Sequence, residues 1–145
     1  MRTMRIGLAI GIVLGLGLGG GAGAATGDKL YDHLGGKAGI QKVVNDFVGS
    51  VAADKRINHF FAHTDIPAFK RKLVDQICEA SGGPCKYTGK NMKAAHTGMG
   101  ITTADFNALV EDLSGALDKH KVAKPDKDAL LGVLGPMKSD IVEKP

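Results

Sequence analysis

The sequence has no tryptophan, and all its aromatic residues together make up 5%. Its two cysteines, Cys78 and Cys85, are not in C-x-x-C spacing. That excludes a zinc ribbon, a thioredoxin-type redox pair and a C-x-x-C-H haem attachment site. No H-E-x-x-H is present, so a metalloprotease helix is excluded too. No glycine-rich phosphate loop follows a strand pattern, and no nucleophile elbow appears. Strand signals are poor throughout. The formal charge of +4 is too small to argue for a nucleic-acid partner. What remains is a chain of 145 residues, one domain by length. Its 43% hydrophobic and 23% charged residues are an ordinary globular balance, unlike that of a disordered chain.

Nine of the 21 glycines fall in the short stretch between Gly7 and Gly27. That segment opens with Arg2 and Arg5 and no acid, continues through an uncharged run from Ile6 to Leu18, and ends in small residues, Ala22-Gly23-Ala24. Charged start, apolar middle and small-residue end form the layout of a secretory signal peptide. The expectation is a signal peptide over residues 1–24 and a functional domain over 25–145, exported to a periplasm-like compartment. An uncleaved segment would instead tether the domain to the membrane. After cleavage no membrane association is expected. Arg2 and Arg5 would leave with the segment, so part of the basic charge belongs to it. In an oxidising compartment Cys78 and Cys85 can pair, and two free thiols are the alternative.

The rest of the chain repeats apolar residues at helical intervals. A short stretch from Lys29 to Leu34 ends at Gly35-Gly36. The next helix, from about Ala38, has Ile40, Val43, Val44, Phe47, Val48 and Val51 on one face. After a short segment from Asp54 to Phe61, Asp65 and Pro67 signal a helix start. That helix has a stripe of Ile66, Phe69, Leu73, Ile77 and Ala80, and Ser81-Gly82-Gly83-Pro84 stops it. A short helix over Asn91 to His96 lies between glycine breaks. Thr102 or Thr103 then caps a helix whose face is Phe106, Leu109, Val110, Leu113 and Leu117. Pro125 is expected to separate it from a last helix bearing Leu130, Leu131, Leu134, Met137 and Ile141, kinked at Gly135-Pro136. The fold class is all-α.

Of five histidines, His96 is distinctive. It shares a helical face with Met92, and its neighbours Ala94 and Ala95 are small. A neutral imidazole is a good iron ligand, and a flat macrocycle needs small or flexible side chains around it. Taken alone, a lone histidine on a short helix is more often structural than a ligand. His33, His59, His63 and His120 fall in turns or on polar faces, where surface roles are expected.

Several motifs recur together: Leu30-Tyr31-Asp32-His33-Leu34-Gly35-Gly36, Asn58-His59-Phe60-Phe61, Gly82-Gly83-Pro84, the run from Tyr87 to His96, and Gly98-Met99-Gly100-Ile101-Thr102 followed by Asp105-Phe106. In this order and spacing the chain resembles the group 1 truncated haemoglobins, from about Lys29 to Ile141. The resemblance implies a two-over-two helical sandwich around one haem b per chain. His96 matches the proximal iron ligand, and Phe61, Tyr87 and Met92 match residues lining the haem. Lys90 or Lys93 could pair with a propionate, or could lie on a solvated face. Where many members carry a distal Tyr and Gln, this chain has Val48 and Leu73, with Phe69 at another distal position. None of the three can donate a hydrogen bond. Lys72 matches a position from which some relatives ligate the iron directly. Its alternative is a stem over apolar surface with the ammonium in water. No histidine follows His120, so the covalent haem linkage of some relatives is not expected.

The function implied is reversible coordination of a diatomic gas, oxygen or nitric oxide, at a His-ligated iron. A ligand-binding protein ranks ahead of an enzyme. The alternatives are a haem redox protein with Lys72 as sixth ligand, a nitric oxide detoxifying enzyme served by a reductase, and a haem-free helical interaction domain.

Overall fold

The computed structural model describes residues 29–145. The segment assigned above to a signal peptide lies outside the described residues. Seven α-helices follow in order: α1 Leu30–His33, α2 Gly36–Ala53, α3 Ile66–Ala80, α4 Met92–His96, α5 Thr103–Lys119, α6 Lys124–Leu134 and α7 Lys138–Ile141. A 3-10 turn over Asn58–Phe61 precedes α3, and another over Gly135–Met137 joins α6 to α7. Among the described residues there is no strand, only one isolated parallel bridge between Thr102 and Lys144. No helix among them is long and apolar enough to cross a membrane.

The caps follow local chemistry. The Asp65 carboxylate accepts from Ala68 N at 3.0 Å, with Pro67 in the first turn behind it. Asn91 caps α4, accepting from Ala94 N at 2.8 Å. Thr102, not Thr103, caps α5 in a reciprocal box with Asp105. One expectation is corrected: Pro125 does not separate α5 from α6 but sits in the first turn of α6, where its missing N–H costs no hydrogen bond. The expected kink at Gly135-Pro136 is the 3-10 turn.

The α2 stripe is buried as its spacing predicts, from Ile40 through Val51. Helix α2 packs against both α3 and α5, and α5 packs against α6. Two helices thus lie over two. The other apolar stripes divide. On α3, Val74, Ile77 and Cys78 enter the core, while Phe69 and Leu73 remain half-buried. On α5, Leu113 and Leu117 are buried, while Phe106 and Val110 are not. The half-buried side chains face the cavity described below.

Cys78 and Cys85 form a disulfide with a Cα–Cα distance of 5.6 Å. It fastens the end of α3 to the loop before α4. Gly83 lies in tight quarters beside it: a Cβ there would meet the Tyr31 ring at 2.5 Å and Cys78 Sγ at 2.7 Å. Polar contacts brace the outside. His120 and Lys119 hold Asp46, joining α5 to α2, and His33 bonds Asp126 at 2.7 Å, joining α1 to α6.

At the far end of α2 the Arg56 guanidinium beside Asp54 holds that carboxyl at about 2. Burial first, then the hydrogen bond with the neighbouring Asp54 carboxyl and its charge, push Asp112 up to about 6. A raised folded-state value means that Asp112 costs stability increasingly as pH rises from the ordinary 3.8 to about 6, and in full above that. Asp112→Asn should therefore raise the melting temperature at pH 7.5 and lose that advantage only near pH 3.5, where the carboxyl is protonated in the folded and the unfolded chain alike. Thermal melts at the two pH values test this. Replacing Cys78 and Cys85 by serine should lower stability by about 2–3 kcal/mol, the loop-closure value for so short a ring, as read from denaturant unfolding.

Candidate functional site

The helices leave a cavity of about 740 Å³, with walls from α3, α4, α5 and the C-terminal turn and helix. Phe61, Phe69, Leu73 and Tyr87 line it, together with Met92 and His96. The Phe61 and Phe69 rings meet at a tilt of 54°, with centroids 5.3 Å apart. Leu109, Leu113, Leu131 and Ile141 continue the apolar wall.

His96 alone of the five histidines lines the cavity. Its Nδ1 lies 2.7 Å from the Met92 carbonyl oxygen, one turn earlier on the same helix. A carbonyl only accepts, so Nδ1 carries the proton and donates it. Nε2 is then the nitrogen with a free lone pair, and the ring is fixed against rotation. A carbonyl that orients a ligating imidazole also raises its basicity. The helix that presents it is short, and no residue of it is fully buried. Beside it, Tyr87 donates its hydroxyl to the Lys90 carbonyl at 2.6 Å, and Tyr87 N donates to Glu79 at 2.5 Å. Burial pushes the Tyr87 phenol up. The tyrosine therefore shapes the loop between the disulfide and α4.

The charged groups around the cavity are mostly cationic. Lys72, Lys90 and Lys138 line it and form no ion pair among the described residues. Asp105 also lines it, but its carboxylate is engaged with Thr102 N at 3.0 Å. An apolar cleft with a fixed imidazole within and unpaired lysines beside it fits a flat, apolar macrocycle that carries carboxylates. The chemistry of these residues therefore matches a haem.

Val48 departs from the site expected of it. It is 6% exposed, packs in the core and does not line the cavity. Phe47, its neighbour, lines the cavity instead. Consecutive helical residues point about 100° apart, so only one of the two faces the site. Lys90 lines the cavity and Lys93 does not. Lys72 lines it while remaining exposed as a residue. His33, His59, His63 and His120 all lie outside it.

Sequence reasoning missed Gln76. It lines the cavity, and its Nε2 lies 3.4 Å from Met92 Sδ and 3.6 Å from Met137 Sδ. Thioether sulfur is a weak acceptor, so this amide keeps most of its donor capacity. Its register was available, because Gln76 follows Lys72 by four residues and Leu73 by three, on one helical face.

A fold of two helix pairs around an apolar, histidine-bearing cleft is that of a small globin, and known proteins agree. The family model described as bacterial-like globin matches residues 29–143. The group 1 truncated hemoglobin GlbN of Mycolicibacterium paratuberculosis is 35% identical over 112 residues, 77% of this chain and 82% of the relative. The group 1 truncated hemoglobin of Tetrahymena pyriformis is 38% identical over 88 residues, 61% of this chain and 73% of the relative. The crystal structure of the Tetrahymena pyriformis truncated hemoglobin in its Fe(III) form superposes with a TM-score of 0.76 at 32% identity, covering 79% of this chain and 97% of that one. A 2/2 hemoglobin from Synechococcus with covalently attached heme gives a TM-score of 0.75 at 32% identity, covering 79% of this chain and 98% of that one. The chain belongs to the bacterial-like globin family, and with it to the haem-binding, gas-binding proteins.

Proposed function

We propose that one haem b seats non-covalently in this cavity, that His96 Nε2 is its iron ligand, and that the protein takes up and releases diatomic gases there. The observation that carries this reading is the Nδ1–Met92 carbonyl bond at 2.7 Å, which leaves Nε2 available in an apolar cleft. Haem, when bound, supplies the metal centre for the gas. The chain's own residues orient the imidazole, exclude water with aromatic and aliphatic walls, and balance carboxylate charge with Lys90, Lys138 and Lys72. The chain has no C-x-x-C-H and no histidine after His120, which supports non-covalent binding. One cavity with one histidine supports one haem per chain.

Lys72 is read here as a rim cation. A lysine must lose its proton to ligate a metal, and a low-polarity environment favours that loss. An exposed residue keeps its hydration. A sixth ligand from Lys72, and with it an electron-carrier role, is the second reading. Export belongs to the same proposal. The signal-like segment at residues 1–24 supports it, and so does the Cys78–Cys85 disulfide, since such bonds persist in oxidising compartments. An external reductase would be the partner if the protein turns over nitric oxide.

On the α3 side, Phe69 and Leu73 offer a gas ligand no hydrogen bond, the Gln76 amide is turned to the Met92 and Met137 sulfurs, and Lys72 is exposed at the rim. Such a bond to a polar ligand contributes about 1–3 kcal/mol, so rapid release of oxygen is expected. Leu73→Gln should slow oxygen dissociation by about tenfold or more, as read by stopped-flow absorbance. The assignment of His96 is tested by absorption spectra of the purified protein, ferric and ferrous, with and without carbon monoxide. A Soret band is expected in the native chain and its loss or displacement in His96→Ala. An unchanged spectrum in that variant would overturn the assignment.

A further inference from the structure

We infer that Glu143 is a positioning residue for His96, clasping the loop behind the histidine from the C-terminal end of the chain. The inference rests on the haem reading of His96. Helix α4 spans only Met92–His96, has no fully buried residue and packs chiefly on α7, so packing alone leaves its position loosely set. It is held at its ends. Asn91 caps the first. At the second, Glu143 Oε1 accepts from Gly100 N at 2.9 Å and Oε2 from Gly98 N at 3.1 Å.

Gly98 and Gly100 have φ of +86° and +67°, a region that residues with a Cβ rarely adopt. This backbone turns two alternate N–H groups toward one carboxylate. A carboxylate bonded by two amides is a charge-assisted pair, stronger than two neutral bonds. The same C-terminal stretch is fixed to the chain beyond the loop. Glu143 N donates to Ile101 O at 2.8 Å, and Thr103 N donates to Lys144 O at 3.1 Å. Ile101 is itself buried. Met99 N donates back to His96 O at 3.2 Å, which joins the clasped loop to the histidine backbone. Helix α7, just before Glu143, contributes Lys138 and Ile141 to the cavity wall. One segment thus closes the cavity and holds the histidine loop.

The test uses the full chain with Glu143→Ala, Glu143→Gln and the control Asp140→Ala on α7. Amide exchange at Gly98 and Gly100 is measured on the haem-free protein. Haem transfer to a scavenger apoprotein and the ferrous iron–histidine stretching frequency are measured on the loaded one. For Glu143→Ala the expected results are faster exchange at both glycines, haem transfer accelerated about tenfold as for other outer-shell partners, and a shifted stretching frequency. Glu143→Gln keeps one acceptor oxygen and should fall between, which preserves the test if the alanine variant does not fold. Asp140→Ala should match the native chain. Faster glycine exchange with unchanged haem transfer and stretching frequency overturns the inference: the clasp would then order the loop without setting the histidine. If the native chain takes up no haem at all, the underlying haem reading fails, and the positioning role with it.

Discussion

Apolar side chains on α3, α5 and the C-terminal turn face one another across a space that protein atoms do not fill. Phe69, Leu73, Phe106 and Leu109 are all only half-buried. Water against such walls is unfavourable in proportion to the apolar area exposed, roughly 25 cal/mol per Å². The core built around α2 is complete by comparison, with Val44, Leu117 and Leu130 fully buried. The domain therefore contains one region whose packing is finished by the chain and one finished by a cofactor. Most other features of the molecule either frame that second region or stiffen its edges.

The stiffening is unevenly distributed. The wall formed by α3 is a 15-residue helix with a carboxylate cap and a disulfide at its end. The histidine wall is five residues long and held by contacts at its ends. A ligating imidazole needs an orientation set to within a few tenths of an ångström, and a short helix cannot supply that alone. The Met92 carbonyl fixes the ring, Asn91 and Glu143 fix the helix, and Tyr87 shapes the loop before it. Gln76 reaches from α3 to Met92 Sδ and ties the two walls together. Precision here comes from hydrogen bonds because burial is reserved for the cofactor.

The periodic pattern located the long helices, because 3.6-residue spacing and capping residues act locally. Asp65, Asn91 and Thr102 cap helices near the positions their chemistry indicates. The α2 stripe is buried in full for the same reason. His96 stood out through its neighbours and through the order of motifs along the chain. The division of the α3 and α5 stripes into core and cavity faces was not legible. Amphipathicity reports which side of a helix avoids water, and a cofactor satisfies that requirement as well as another helix does. Val48 and Phe47 show the limit at single-residue scale: both are apolar and adjacent, and only the rotation of α2 in its packed place sends one to the cavity.

By itself, then, the sequence determined an all-helical domain, its caps and breaks, the histidine and the cysteine pair. Those depend on contacts within one or two turns, or on residue identity. The tertiary structure decided which lysines border the cavity, that Cys78 and Cys85 are bonded, that Gln76 belongs to the site and that Glu143 closes the loop behind His96. Glu143 lies 47 positions beyond His96, past three helices, and its partners are backbone amides common to almost every residue. Only the folded path of the chain brings that carboxylate to those two glycines.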